Sequence, residues 1–494
     1  MSWSRIALGH VATGVVAALG ALAVVTKQAA AAPVTTASPS QLTNNNYSLE
    51  FFQGPVLASS RVTGLAGAYT AVAEGTEGAS VNAAAAAVRQ ASSTHWFDYD
   101  IDLGISFPGA YGGTDYDNRG DKADPTTVAR VNHFLHGEAG LALQFGELGV
   151  SVTTELLQYS VSSAVDPPSL SYVRGHVLAG YGFFHNQIVL GAGVRIVALQ
   201  LTDGGLTGKP LITMAGVSPE AGIVWKPQNY NVRFGGTARA PVSASALSSD
   251  ATTDSMGVRR ASGFILPTNV VQPWELEGGM ALQLGPRPLN PPFVNPRDRV
   301  RTIRQHIERA RAFRSREMAA ALTASPASER SALQDRLNRE EAARRQVEEA
   351  RASAAEDALV EELKARYANW PRERILLVAS LLIAGASSNA VAIEGFLNQN
   401  QERVGESVSL MPRVGLESEP IPNWVAARAG TYIEASRFSD GNARQHFTFG
   451  ADVKLIHFSP WGLFGDKDQV WRVSGVADLA PRYSNIGFAI GNWH

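Results

Sequence analysis

VLAGYGFF (177–184) and IVLGAGVRIVAL (188–199) are separated only by His185, Asn186 and Gln187. Period-two alternation marks strands, and so short a connection marks a hairpin. On the first strand Val177, Ala179, Tyr181 and Phe183 share one face, while Leu178, Gly180, Gly182 and Phe184 share the other. Both faces are apolar or small, whereas a soluble sandwich shows water a polar face. The hairpin therefore points to a wall with lipid on one side.

Similar segments recur near 95–106, 137–146, 148–160, 211–226, 230–242, 272–286, 374–386, 408–418, 423–436, 444–457, 470–480 and 484–493. With the hairpin they make about 14 strands, an even number within the range of outer-membrane barrels. Long connections near 107–136, 161–170, 202–210, 243–271 and 387–407 alternate with short turns near Gly146, Asn186, 227–229 and 419–422, as such barrels require. ILLVASLLIAGA (375–386) is 12 residues long, short of the roughly 18 of a membrane helix, and reads as a strand. Trp96, Trp225, Trp274, Trp424, Trp471 and Trp493 fall near strand ends, as an interfacial girdle would place them; ordinary core tryptophan is the alternative.

At the start of the chain, Arg5, an apolar run from Ile6 to Val25 and the small residues up to Ala32 follow the order of a secretory signal peptide cleaved near Ala32. A retained membrane anchor is the competing reading. The chain of 494 residues has a formal charge of −2 and no cysteine. The charge demands no nucleic-acid partner, and the lack of cysteine excludes disulfides and thiolate sites.

Residues 297–373 differ from the rest: 31 of these 77 are charged. Asn295, Pro296 and Asp298 form a helix start, and Ser325-Pro326 repeats the signal. Eight arginines precede position 317, against Asp298 and Glu308, while Glu329–Glu362 carries ten carboxylates against six arginines. Opposite polarity predicts an antiparallel, self-neutralising helix pair. Val300, Ile303 and Ile307 make one apolar stripe and Leu333 and Leu337 another, and neither persists as heptads, so a short hairpin is expected rather than a long coiled coil. Strand parity puts it in the periplasm. Phosphate binding by the arginine-rich helix is the functional alternative to a solvated, internally paired one.

No GxSxG, HExxH or GxxxxGK[ST] occurs, and the ten histidines are scattered, so no enzyme, metal centre or cofactor is expected. Asp98, Asp100 and Asp102 alternate on one face and are candidates for lining a polar lumen. A calcium loop reading of that run lacks the glycine and distal glutamate of an EF-hand.

RVTGLAGAYTAVAEGTEGASVNAAAAAVR (61–89) is too poor in large side chains to build a core. Arg61, Gly64, Gly67, Ala68, Tyr69, Ala71, Ala73, Glu74 and Asn82 stand there in an order that resembles the N-terminal region of the FadL-type outer-membrane transport family, which includes aromatic-hydrocarbon channels and PorV-like proteins. Ala83 and Ala85 replace the family's Pro and Gly. MPRVGLESEPIPNWVAARAGTYIEASRF (411–438), followed by FTFGADVKL (447–455), is similar to the family's late strand-turn-strand unit.

The resemblance implies an all-β transmembrane barrel of about 14 antiparallel strands with an N-terminal hatch, here carrying an inserted α-helical hairpin. It also implies passive uptake of hydrophobic small molecules, fatty acids or hydrocarbons, with exit sideways through the wall. Hatch candidates are Arg61, Gly64, Gly67, Tyr69, Glu74 and Asn82, with Tyr69 and Asn82 expected to touch the inner wall. The division is then a signal peptide 1–32, linker and hatch 33–94, barrel strands one to eight 95–296, the charged insertion 297–373, and strands nine to fourteen 374–494. Expected partners are outer-membrane lipid and a hydrophobic ligand, in a Gram-negative outer membrane. The alternative is a non-transporting scaffold or secretion accessory that holds a periplasmic protein partner through 297–373.

Overall fold

The structure, a computed structural model, describes residues 40–110, 114–120, 130–162, 167–203, 210–439, 441–457 and 470–493. The expected signal peptide and its cleavage site lie outside them.

Fourteen antiparallel strands close into a barrel. They are β1 (Phe97–Pro108), β2 (Arg130–Phe145), β3 (Leu148–Ser162), β4 (Ser169–Phe183), β5 (Ile188–Thr202), β6 (Pro210–Trp225), β7 (Val232–Arg239) and β8 (Glu275–Leu284). After the insertion come β9 (Ile375–Ala384), β10 (Ser409–Ile421), β11 (Val425–Glu434), β12 (Arg444–His457), β13 (Val470–Ala480) and β14 (Tyr483–Asn492). Pairing of β1 with β14, from Asp102↔Gly491 to Pro108↔Asn485, closes the wall. The end where β1 starts and β14 finishes is called the proximal rim, and the other the distal rim.

Outward positions are apolar along strand after strand: Leu103, Ile105 and Phe107 on β1, Leu190, Val194 and Ile196 on β5, Phe447, Phe449 and Val453 on β12, and Phe488 and Ile490 on β14 are all exposed. A closed barrel with such an exterior satisfies the two demands of a lipid bilayer, so the barrel is transmembrane. Among the described residues no helix is long and apolar enough to cross a membrane.

Every expected strand is present, with shifted ends. β2 begins at Arg130 rather than 137, and β4 at Ser169 rather than 177. There the outer face carries Ser169 and Ser171, and on β5 Gln200, so the ladder continues past the apolar belt and the alternation that reveals a strand fades. β7 and β8 are shorter than expected and stop beside Pro241 and Pro273, which cannot donate to the ladder. The turn expected at 419–422 sits slightly later, because β10 runs to Ile421. Trp225 and Trp424 are exposed at the proximal rim, Trp274 at the distal rim. Trp493 instead faces the cavity of the proximal mouth.

The distal end is capped by a five-stranded sheet in the order Arg403–Val404, Ala390–Val391, Ser48–Glu50, Asn269–Gln272, Val242–Ser245. Its central strand is N-terminal and runs parallel to both neighbours. From it the chain descends through α1 (Ser60–Gly64), α2 (Gly75–Ala79) and a 3-10 turn (Ala83–Ala87), all buried inside the wall, to the proximal rim.

The insertion at the proximal rim is an antiparallel pair, α3 (Pro296–Ala324) and α4 (Arg330–Ala368). Asn295 caps α3 by accepting from Arg297 N, with Pro296 at the first helical position. With 29 and 39 residues, the helices are roughly 43 and 58 Å long at 1.5 Å per residue, longer than the apolar stripes suggest. Apolar burial is concentrated at the root, at Val300, Leu359, Val360 and Leu363, with Ala352 the one buried residue further up α4. Beyond it Arg311 and Arg314 pair with Glu348 and Glu341 at 2.9 and 2.7 Å, so charge continues the pairing where apolar contact ends.

Candidate functional site: the filled lumen

Residues 60–89 contain little that is large, and the wall matches them. Gly149 on β3, Gly180 on β4, Gly191 on β5 and Gly222 on β6 face the segment Asn82–Ala87, and a Cβ at Gly149, Gly191 or Gly222 would overlap its backbone. Gly235 and Gly415 do the same opposite Thr70 and Leu65. The inward glycines of the hairpin 177–199 thus make room for the N-terminal segment, and its alanines use that room.

Three ionic anchors tie the segment to the wall. Arg61 grips Glu417 of β10 with Nε and Nη2 at 2.8 and 2.9 Å, while its Nη1 donates to the Tyr69 hydroxyl at 2.9 Å. Glu74 receives Arg233 of β7 at 2.6 Å. Arg472 of β13 pairs with Glu77 at 2.7 Å, Asp102 at 3.1 Å and Asp452 at 2.8 Å. Arg428 links Glu417 to Asp452 at 2.6 and 2.7 Å, joining the first anchor to the third. Such pairs are geometrically specific, and losing one partner leaves a buried charge.

Uncharged anchors complete the attachment. The Asn82 carboxamide accepts from Ala84 N at 3.0 Å and donates to Thr70 O at 2.8 Å and to Ile223 O of β6 at 3.1 Å. Gly64 packs on Gly450 of β12. Gly67 adopts φ 77° and lies against the Arg413 guanidinium. Tyr69 is wholly buried. Of the lumen candidates, Asp100 accepts from Thr76 N at 2.7 Å, Asp102 meets Arg472, and Asp98 borders the proximal cavity. The structure therefore brings all six hatch candidates and all three aspartates into one lumen. The network also uses Glu417, Arg233 and Arg472, which lie 356, 159 and 395 positions from their partners Arg61, Glu74 and Glu77. Asn186 is a further member: its carboxamide donates to Ala87 O at 2.7 Å and accepts from Arg89 N at 2.8 Å.

The lumen changes character with height. In the distal half, Leu157, Tyr159, Leu170, Tyr172, Leu199 and Leu201 on β3–β5 face inward and join the cap residues Leu49 and Phe51 in one apolar cluster. Phe51 packs against Tyr172 with centroids 4.2 Å apart and the rings tilted by 33°. Across from them the wall is polar: His446 sits between Glu434 and Asp478 at 2.7 and 2.9 Å. At the proximal mouth, a cavity of about 560 Å³ lies between the N-terminal segment, the wall and the root of α4.

The wall has a seam among the described residues. Pairing of β6 with β7 ends at Glu220↔Arg239. One more bond, Ala240 N to Pro219 O at 3.0 Å, follows; the strand Val242–Ser245 then turns into the cap, and the next cross-link is Thr213 with Leu247. Among the described residues Met214–Ser218 have no backbone hydrogen bond on that side. Val242 fills the gap against Gly216, and Val217 outside is 62% exposed.

No family model matches the chain, and no curated protein matches it. Among solved structures it is similar to a CymD monoaromatic hydrocarbon channel, with TM-score 0.46 and 9% identity over 88% of this chain and 96% of that one. A TodX monoaromatic hydrocarbon channel mutant gives 0.40 and 10% over 86% and 99%. The translocator domain of the autotransporter NalP from Neisseria meningitidis gives 0.25 and 8% over 80% and 87%. At these values the likeness adds nothing to the architecture that strand pairing already establishes: a closed transmembrane barrel with its N-terminal segment inside.

Proposed function

We propose that this protein is a FadL-type channel of the Gram-negative outer membrane for passive uptake of hydrophobic small molecules, fatty acids or hydrocarbons. The carrying observation is the apolar inner face of β3–β5 in the distal half, built from Leu157, Tyr159, Leu170, Tyr172, Leu199 and Leu201. Water-filled barrels have polar interiors, whereas an apolar face beneath a cap suits a solute that leaves water reluctantly. In this reading the distal rim is extracellular and the proximal rim and helical hairpin are periplasmic. Outer-membrane lipid contacts the apolar belt, and Arg61–Arg89 is the hatch that blocks straight passage. The seam beside Met214–Ser218 provides a sideways exit into lipid once Val242 withdraws.

Uptake of long-chain fatty acids and of aromatic hydrocarbons in a deletion strain tests this. Complementation by the wild type should restore uptake of at least one, and Leu199→Asp should abolish that gain while the barrel keeps its heat-modifiable gel mobility. Uptake unaffected by the deletion for every compound sinks the reading.

The scaffold alternative has one observation in its favour: Phe313 and Val347 on the hairpin are 61% and 69% exposed. Deleting 297–373 separates the two. Lost capture of a periplasmic partner with intact uptake favours scaffolding.

A further inference from the structure

We propose that the lumen holds a calcium-class cation between the N-terminal segment and the wall, in the small cavity bounded by Thr76, Glu77, Asp102, Glu138, Thr153 and Glu155. That cavity measures about 20 Å³. A single water needs roughly 10–15 Å³ on this measure, so the space suits one water-sized particle.

Apart from Glu77 Oε1, which faces Arg472, three buried oxygens of the cavity lining have no hydrogen-bond partner among the described residues: Asp102 Oδ2, Thr153 Oγ1 and Glu155 Oε1. Each belongs to a residue more than nine-tenths buried. Leaving such atoms bare in a dry interior is costly. The charge balance points the same way. Glu77, Asp102, Glu138 and Glu155 feel one another's charge, and the cations at hand are already committed. Arg174 serves the other oxygen of Glu155, and Arg472 is divided among Glu77, Asp102 and Asp452. Carboxylates gathered in low dielectric without enough arginines require further positive charge.

The chemistry of the lining selects the ion. Every candidate ligand is an oxygen, from carboxylate or hydroxyl, and no histidine or thiol takes part. Calcium accepts six to eight oxygens in flexible arrangement, while magnesium demands a stricter octahedron and keeps its waters. As the side chains stand, no group of three carboxylates or histidines among the described residues could hold a metal ion. Binding is therefore expected to draw the carboxylate of Glu138, on β2, toward those of Asp102 and Glu155. Because Thr76 and Glu77 belong to the N-terminal segment, the ion joins that segment to β1, β2 and β3, adding to the bonds that Thr76 makes with Asp100 and Glu77 with Arg472. Its effect on passage rests on the channel reading above; its binding does not.

The full chain, purified in detergent and stripped with a chelator, is dialysed to equilibrium against radiolabelled Ca²⁺ alone. One ion per wild-type chain is expected. Glu138→Gln should weaken binding at least tenfold, and Glu349→Gln on the exposed hairpin should not. Calcium should also raise the temperature of heat modification in the wild type and not in Glu138→Gln. If Glu138→Gln fails to form a barrel, Thr153→Val removes only a hydroxyl and should lower affinity in the same direction. Absence of binding by the wild type overturns the proposal, as does equal binding by Glu138→Gln and Thr153→Val. Calcium-independent stabilisation on acidification, without any bound Ca²⁺, would assign the place to a proton and overturn it too.

Discussion

Arg61 shows what single residues do here. Its guanidinium meets both oxygens of Glu417, and both partners are buried. Arg61→Ala removes one of three guanidiniums from the Glu417 carboxylate, which keeps Arg428 and Arg374, and should cost about 1.5–3 kcal/mol, read as a lower temperature of heat modification. Arg61→Lys should rescue little, since a point charge cannot reproduce the fork. In the distal loop following β1, burial and then the nearby Asp115, Glu434 and Glu402 carboxylates push the Asp117 carboxyl up to about 7. A carboxyl raised in the fold favours the folded state below its ordinary value near 4, and that contribution is lost as pH rises toward 7. Asp117→Asn should therefore raise the melting temperature at pH 8 and leave it nearly unchanged at pH 4. Arg61, Tyr69, Glu74 and Asn82 are legible in the sequence only through resemblance, because nothing local announces a partner hundreds of positions away. Asn186 reads as a turn residue, and is one, with φ 63°; its side chain's grip on Ala87 and Arg89 leaves no local trace.

At the scale of elements, the strands are legible because lipid imposes an apolar outer row at every second residue. The cap strands are two to four residues long, too short for any period: Ser48–Glu50 hides in the expected linker, and the other four lie in or at the edges of the expected loops 243–271 and 387–407. The fit between Ala83–Ala87 and the wall glycines yields a sharp expectation. Gly191→Leu should displace the alanine turn and raise ion conductance of the reconstituted protein, while Gly278→Leu, whose Cβ meets nothing, should leave conductance unchanged. In the hairpin, the side-chain hydrogen bond from Arg314, with help from Arg345, holds the Glu341 carboxyl down at about 2. Its stabilising contribution is present above the ordinary carboxylate value and is lost as pH falls toward 2. These pairs are half-exposed and screened by salt. Protease cleavage near 325–329 should accelerate in Arg311→Ala/Arg314→Ala, and molar salt should reduce the difference between the variant and the wild type.

For the molecule as a whole, the N-terminal segment has a consequence for biogenesis. It starts between wall extensions at the distal rim, where Ser48 pairs with both Asn269 and Ala390, and it leaves at the proximal rim to become β1. The chain thus travels the full height of a cylinder whose last staple joins β1 to β14, the first and final strands. Contacts so distant along the chain form late and slowly. An insertion machinery that zips fourteen strands into a bilayer must either seal the cylinder around a thread already lying inside it or admit that thread afterwards through a rim. The row of glycines and the five alanines opposite them leave a track smooth enough for a thread to settle in either order.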